Sequence, residues 1–181
     1  HLHADQTHGI NDLRFFFLKN KKKIPVYADL TTRKYLLKNF TYCFKKDHYP
    51  PTLEIKKIKT NLKFKSNNKT LLVRTVPVKH GSINSIAYIF NNKCAYASDV
   101  NFIYKKDMDY FKNLKYLVID CLRYDPHPSH FNLNQCLEIV NQLKPKMTIL
   151  TNLSSEIDYS LIKKKLPKNV YPAFDGMTLK L

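Results

Sequence analysis

The sequence predicts an α/β layered domain, with sheet inside and helices outside, on three observations. Short β-branched and aromatic runs alternate with segments of helical spacing near both ends of the chain. The middle is almost continuously strand-like, and no repeat or low-complexity linker interrupts the pattern. With 181 residues and 44% hydrophobic content, a single domain over 1–181 is the expected organisation.

Taken in order, Ile10, Leu13, Phe16 and Phe17 recur at helical spacing, so a helix with one buried face is expected over Asn11–Leu18, ended by Lys19–Lys23. Ile24–Ala28 is a short apolar strand, and Asp29 or Thr31 caps a helix carrying Tyr35, Leu36 and Phe40. Strands follow at Leu53–Ile58, Leu71–Val78, Ile83–Phe90 and Cys94–Ser98, with Asn91-Asn92 as a hairpin turn. The polar stretch Lys59–Thr70 reads as a long hairpin connection. Beyond it come a short helix ending at Tyr110–Leu114, a buried strand Lys115–Asp120, a helix Asn132–Leu143 and a strand Met147–Leu150. A helix over Ser154–Lys165 and two short strands, Val170–Phe174 and Met177–Leu181, joined by a turn at Asp175-Gly176, complete the reading.

Composition narrows the function classes. No run approaches the ~20 apolar residues of a membrane span, so no membrane partner is expected and a cytoplasmic location is. Cys43, Cys94, Cys121 and Cys136 are widely spaced without a CxxC pair, which predicts buried reduced thiols and neither a disulfide frame nor a zinc knuckle. The net charge of +17 would suit a polyanion, but the lysines are scattered among abundant Asn, Ile, Tyr and Phe, the drift of an AT-rich genome, with no aromatic-interleaved stripe. Nucleic acid is therefore not the favoured partner.

The segment that carries chemistry is His1-Leu-His3-Ala-Asp5. On an extended loop, alternate side chains converge, and two imidazoles with a carboxylate suit zinc or manganese. Three further metal-capable residues sit at the ends of predicted strands, where distant ligands meet: His80, Asp99 and Asn152. His8 and His48 read as ordinary loop residues.

These residues carry a resemblance. HLHADQTHGINDLR is similar to the HxHxDH signature of the metallo-β-lactamase superfamily, in the form found in the phosphodiesterase branch related to the bacterial phosphonate-utilisation enzyme. Ordered similarity continues through Ile24-Pro-Val-Tyr-Ala28, Val78-Lys-His-Gly81, Ala95-Tyr-Ala-Ser-Asp99, Pro126-His-Pro-Ser-His130, Thr151-Asn-Leu-Ser154 and Phe174-Asp-Gly-Met177.

The resemblance implies an αββα four-layer sandwich, lacking the family's N-terminal strands, since the chain opens inside the signature loop. It also implies a first metal held by His1, His3, His80 and Asp99, with Asp99 bridging to a second metal served by Asp5. At the second metal's remaining two positions, where the family carries histidine, stand Gln6 and Asn152, and Ser155 departs from the same pattern. An amide oxygen is a weaker donor than imidazole, so one zinc or manganese per chain is expected rather than two. Asp5 and His130 take the catalytic places in the resemblance, His130 serving the leaving group with His127 beside it.

The implied activity is metal-dependent hydrolysis of a small phosphodiester. The alternatives are an impaired remnant of such a hydrolase, and an RNA-processing nuclease or RNA-binding protein on the same fold. A homodimer is compatible with all three.

Overall fold

The computed structural model describes residues 1–46 and 49–181, so His48 lies outside the described residues. The chain resolves into two compact units, His1–Lys59 and Thr60–Leu181.

In the first unit a short helix α1 (Ala4–Thr7) runs into a 3₁₀ segment (His8–Leu13) and then α2 (Arg14–Asn20), so the expected Asn11–Leu18 helix is the join of two helical forms. Lys21 closes α2 in the left-handed conformation, its N–H donating to the Phe17 carbonyl. β1 (Ile24–Ala28) pairs in parallel with β2 (Leu53–Lys57), and between them lie α3 (Leu30–Asn39) and α4 (Thr41–Phe44). Asp29 caps α3, accepting from the backbone N–H of Thr31 and Thr32. A small core of Ile10, Ala28, Leu36, Cys43 and Leu53 holds the unit.

The second unit is one seven-stranded sheet in chain order: β3 (Asn61–Ser66), β4 (Lys69–His80), β5 (Ile83–Phe90), β6 (Cys94–Ala97), β7 (Tyr116–Asp120), β8 (Met147–Thr151) and β9 (Val170–Pro172). β3 to β6 are antiparallel, and β6 to β9 run parallel. Alternation in β5 buries Ser85, Ala87 and Ile89 on one face, whereas β7 and β8 are apolar on both faces. Asn67-Asn68, both at positive φ, form the two-residue hairpin turn from β3 to β4, and Asn91-Asn92, also at positive φ, lie in the three-residue connection between Phe90 and Cys94. A 3₁₀ segment (Lys105–Phe111) precedes β7, and α5 (Leu133–Leu143) connects β7 to β8, its Asn132 and Gln135 forming a reciprocal capping box. All four cysteines are buried and free, as expected.

Three expectations are corrected. Lys59–Thr70 is not a loop, because Asn61–Ser66 pairs with β4 as the edge strand. Its lysines stand where an edge strand tolerates charge, and they hide the alternation of Leu62 with Phe64. The helix over Ser154–Lys165 shortens to α6 (Tyr159–Lys165), since the Asp158 side chain accepts from the Leu161 N–H and starts the helix there. Met177–Leu181 is not a strand; Asp175-Gly176 is a turn closed by Met177 N–H to Phe174 carbonyl, with Gly176 at φ 89°, and the chain then runs on unpaired with the sheet.

Candidate metal centre

Because β4 and β6 share a direction and β6 to β8 are parallel, the C-terminal ends of β4, β6, β7 and β8 lie along one end of the sheet. His80 ends β4, Asp99 follows β6, Asp120 ends β7 and Asn152 follows β8. The carboxyl ends of strands are where α/β sheets gather ligand-binding groups. Asp99 and Asn152 turn out of their strands at φ 53° and 61°, a left-handed conformation that Asp and Asn tolerate better than most residues.

The donor atoms of His80, Asp99 and His130 lie within 4.8 Å of one another. His80 and Asp99 are each only 3% exposed. His80 Nδ1 lies 2.7 Å from the Ser129 carbonyl, which accepts only, so Nδ1 donates and Nε2 is the acceptor nitrogen of the neutral ring. Gly81 makes this approach feasible: it sits at φ 59°, and a Cβ there would stand 2.9 Å from the Ser129 Cβ. Asn101 ties the same loop, accepting from the Gly81 N–H and donating to the Pro128 carbonyl.

His130 is oriented by a residue the sequence reading missed. Its Nδ1 lies 2.6 Å from Asp120 Oδ2, which also accepts the Val100 N–H at 2.9 Å. Asp120 is fully buried and its other oxygen, Oδ1, has no hydrogen-bond partner. Burial pushes the Asp120 carboxyl above the usual carboxylate range, against the opposing hydrogen bonds from His130 and Val100. An acid closing an otherwise apolar strand, ten residues before a histidine, was the available signal.

The rings of His80 and His130 meet edge to face at 4.7 Å, and His127 stands 5.1 Å beyond His130. His127 Nδ1 accepts from the Ser129 N–H at 3.3 Å. Burial, then the neighbouring His130 and Arg123, push the His127 imidazole below its ordinary range.

A divalent ion fits this donor set: a buried carboxylate and a buried imidazole are the chemistry of a metal ligand pair. The Asn152 amide faces Asp99, Nδ2 donating to Oδ1 at 3.4 Å.

The first unit holds the remaining sequence-predicted residues. His1 and His3 meet edge to face at 4.4 Å. Asp5 and Gln6 do not continue an extended loop, because α1 begins at Ala4 and the Thr7 hydroxyl closes its turn onto the His3 carbonyl. Both are exposed, and Gln6 Nε2 donates to Asp5 Oδ2 at 3.2 Å.

Known proteins agree with the fold. A crystal structure described as a new diphosphatase from the PhnP family superposes with a TM-score of 0.86 at 28% identity, over 100% of this chain and 69% of that one. The metallo-beta-lactamase fold protein YhfI from Bacillus subtilis matches at a TM-score of 0.74 and 15% identity, covering 98% of this chain and 73% of that one, which speaks for the fold alone. A curated relative from Porphyromonas gingivalis strain ATCC BAA-308 / W83, named octanoyltransferase, is 25% identical over 98% of this chain, and the chain spans only 36% of that relative's length. The α/β fold of metallo-β-lactamase type is thus the observed one. A model of the beta-lactamase superfamily domain matches residues 1–151, and the chain belongs to that family, in the metallo-hydrolase line related to PhnP.

Proposed function

We propose that the protein is a metal-dependent phosphodiesterase acting on a small phosphodiester through one divalent ion, zinc or manganese, per chain. The observation that carries the reading is the convergence of His80, Asp99 and His130 at one end of the sheet, each histidine fixed through Nδ1 by an acceptor, the Ser129 carbonyl and the Asp120 carboxylate. His80 and Asp99 are the ligands of this unit, and the family pattern adds His1 and His3. When bound, the ion supplies a water acidified toward pH ~7 and a Lewis acid for the phosphoryl oxygen.

His130 is the proton-handling group. Its Nδ1–H is committed to Asp120, so its Nε2 is the atom that carries or yields a proton, and the protonated ring delivers that proton to the leaving oxygen. Asp120 holds the ring's orientation and offsets the positive charge. Asp5 fills the remaining catalytic place of the family pattern. The same reading makes the protein a cytoplasmic enzyme; no helix among the described residues is long and apolar enough to cross a membrane.

The test is metal content of purified protein together with turnover of a chromogenic phosphodiester. About one ion per chain with turnover, both lost in His80→Ala, is the expected result. A chain that keeps an ion but never turns over supports the remnant reading instead, for which the Asn152 bond to Asp99 is the motivating observation. Metal retained in His80→Ala would overturn the ligand assignment.

A further inference from the structure

We propose that His127 is a substrate-binding residue that donates its Nε2–H to a non-bridging oxygen of the phosphoryl group. The inference rests on the phosphodiesterase reading and assigns a contact that reading does not use.

The argument is one of hydrogen-bond polarity. The His130 ring centroid stands 4.7 Å from that of His80 and 5.1 Å from that of His127, yet the partners of the three imidazoles differ. The nitrogens of His80 and His130 that are held by the protein both face acceptors, a carbonyl and a carboxylate, so each ring's Nε2 is left as an acceptor when the ring is neutral. His127 is reversed. Its Nδ1 accepts the Ser129 N–H, with the Ser129 hydroxyl also within 3.2 Å, so the ring proton resides on Nε2 and that atom can only donate.

Ser129 sets both polarities at once, giving its carbonyl to His80 and its N–H to His127. The chemistry divides accordingly: a lone pair for a cation, a transferable proton at His130, and a fixed donor at His127. A fixed donor beside the group that protonates the leaving oxygen matches the anionic oxygens of a phosphoryl group. His127 is partly exposed, as a group that meets a ligand must be. Burial and the neighbouring His130 lower its basicity, in the same sense as this polarity.

The experiment uses the full chain loaded with zinc and inorganic phosphate as probe, with binding followed by titration calorimetry and zinc measured in each sample. His127→Ala is expected to weaken phosphate binding about 10- to 100-fold, the range for a hydrogen bond to a charged acceptor, with zinc content unchanged. His127→Gln, whose amide can accept from Ser129 and donate outward, should recover most of the loss and so separates a lost donor from a collapsed loop. In turnover the same loss should fall on KM more than on kcat. Phosphate binding unchanged in His127→Ala, or zinc lost along with it, overturns the inference. Wild-type protein that holds zinc without binding phosphate overturns this inference and the phosphodiesterase reading together; phosphate bound equally by wild type and His127→Ala sinks this inference alone.

Discussion

A buried carboxylate has two consequences that pull in opposite directions, and Asp120 shows both. It is fully buried with one oxygen unpartnered, and desolvation raises its pKa above that of the unfolded chain. A raised folded-state value means that the native state binds more protons than the unfolded state just above the ordinary carboxylate range, so stability falls as pH rises through that window. Keeping Asp120 ionised at neutral pH therefore costs stability, and what it provides is the orientation of His130. Asp120→Asn removes the charge and keeps the shape. The expected outcome is turnover reduced by about 10-fold or more, because the amide oxygen takes the Oδ2 place and accepts from His130 and Val100 while the negative charge that offsets the protonated ring is lost, with an unfolding temperature equal to or above wild type at pH 8. Turnover near wild type in that variant would remove His130 from the proton-transfer role. Asp120 left one sequence signal, an acid closing an apolar strand, and Ser129 left none. A hydrogen-bond partner has no spacing rule, and Ser129 acts through its backbone N–H and carbonyl, which every non-proline residue possesses.

At the scale of elements, α5 is the piece whose formation is most locally encoded. Asn132 and Gln135 exchange side-chain and backbone hydrogen bonds at its start, and Cys136, Val140 and Leu143 form its buried face. Its first residues also anchor the loop bearing His127 and His130, since Leu133 N–H donates to the Arg123 carbonyl and Phe131 N–H to that of Val100. Asn132→Ala should cost about 1 kcal/mol in urea unfolding, the usual effect of losing a cap, and should loosen that loop. A change under ~0.3 kcal/mol would mean that tertiary packing alone fixes the helix start. The capped and periodic elements were readable for the same reason: Asp29, Asn132 and the Asn91-Asn92 turn act on their own neighbours. What escaped the sequence depended on distant partners. β3 exists because β4 offers its edge, and its lysines read as loop; Met177–Leu181 has strand-like residues but no strand to pair with. Likewise His80 and Asp99 were placed by their strand-end positions, whereas the Asn152 N–H aimed at Asp99 required the fold.

For the whole molecule, the decisive balance lies between the charge of +17 spread over the chain and the acidic groups gathered at one end of the sheet. Scattered surface lysines are screened within about 8–10 Å at physiological salt, so they do not set the chemistry of a buried site. Asp99, 3% exposed, and Asp120, fully buried, are different: folding desolvates both, and a cation that binds only the folded state recovers part of that cost. Saturating zinc, at about 100 times its dissociation constant, should therefore stabilise the protein by about 2.7 kcal/mol. In thermal unfolding that corresponds to a rise of roughly 10 °C for a domain of this size, reversed by chelator. His80→Ala should remove the rise without lowering the metal-free transition by more than the loss of one buried side chain requires. Zinc stabilisation that survives in His80→Ala would locate the ion elsewhere in the chain. The cysteines give it no ready alternative, because all four are buried, Cys43 and Cys94 have thiols pushed above their usual range by desolvation, and Cys136 is pushed up by its hydrogen bond with Cys121 and by burial, so that thiolate ligands are disfavoured. The metal-linked shift thus reads the imidazole and carboxylate set directly, without any assumption about the substrate.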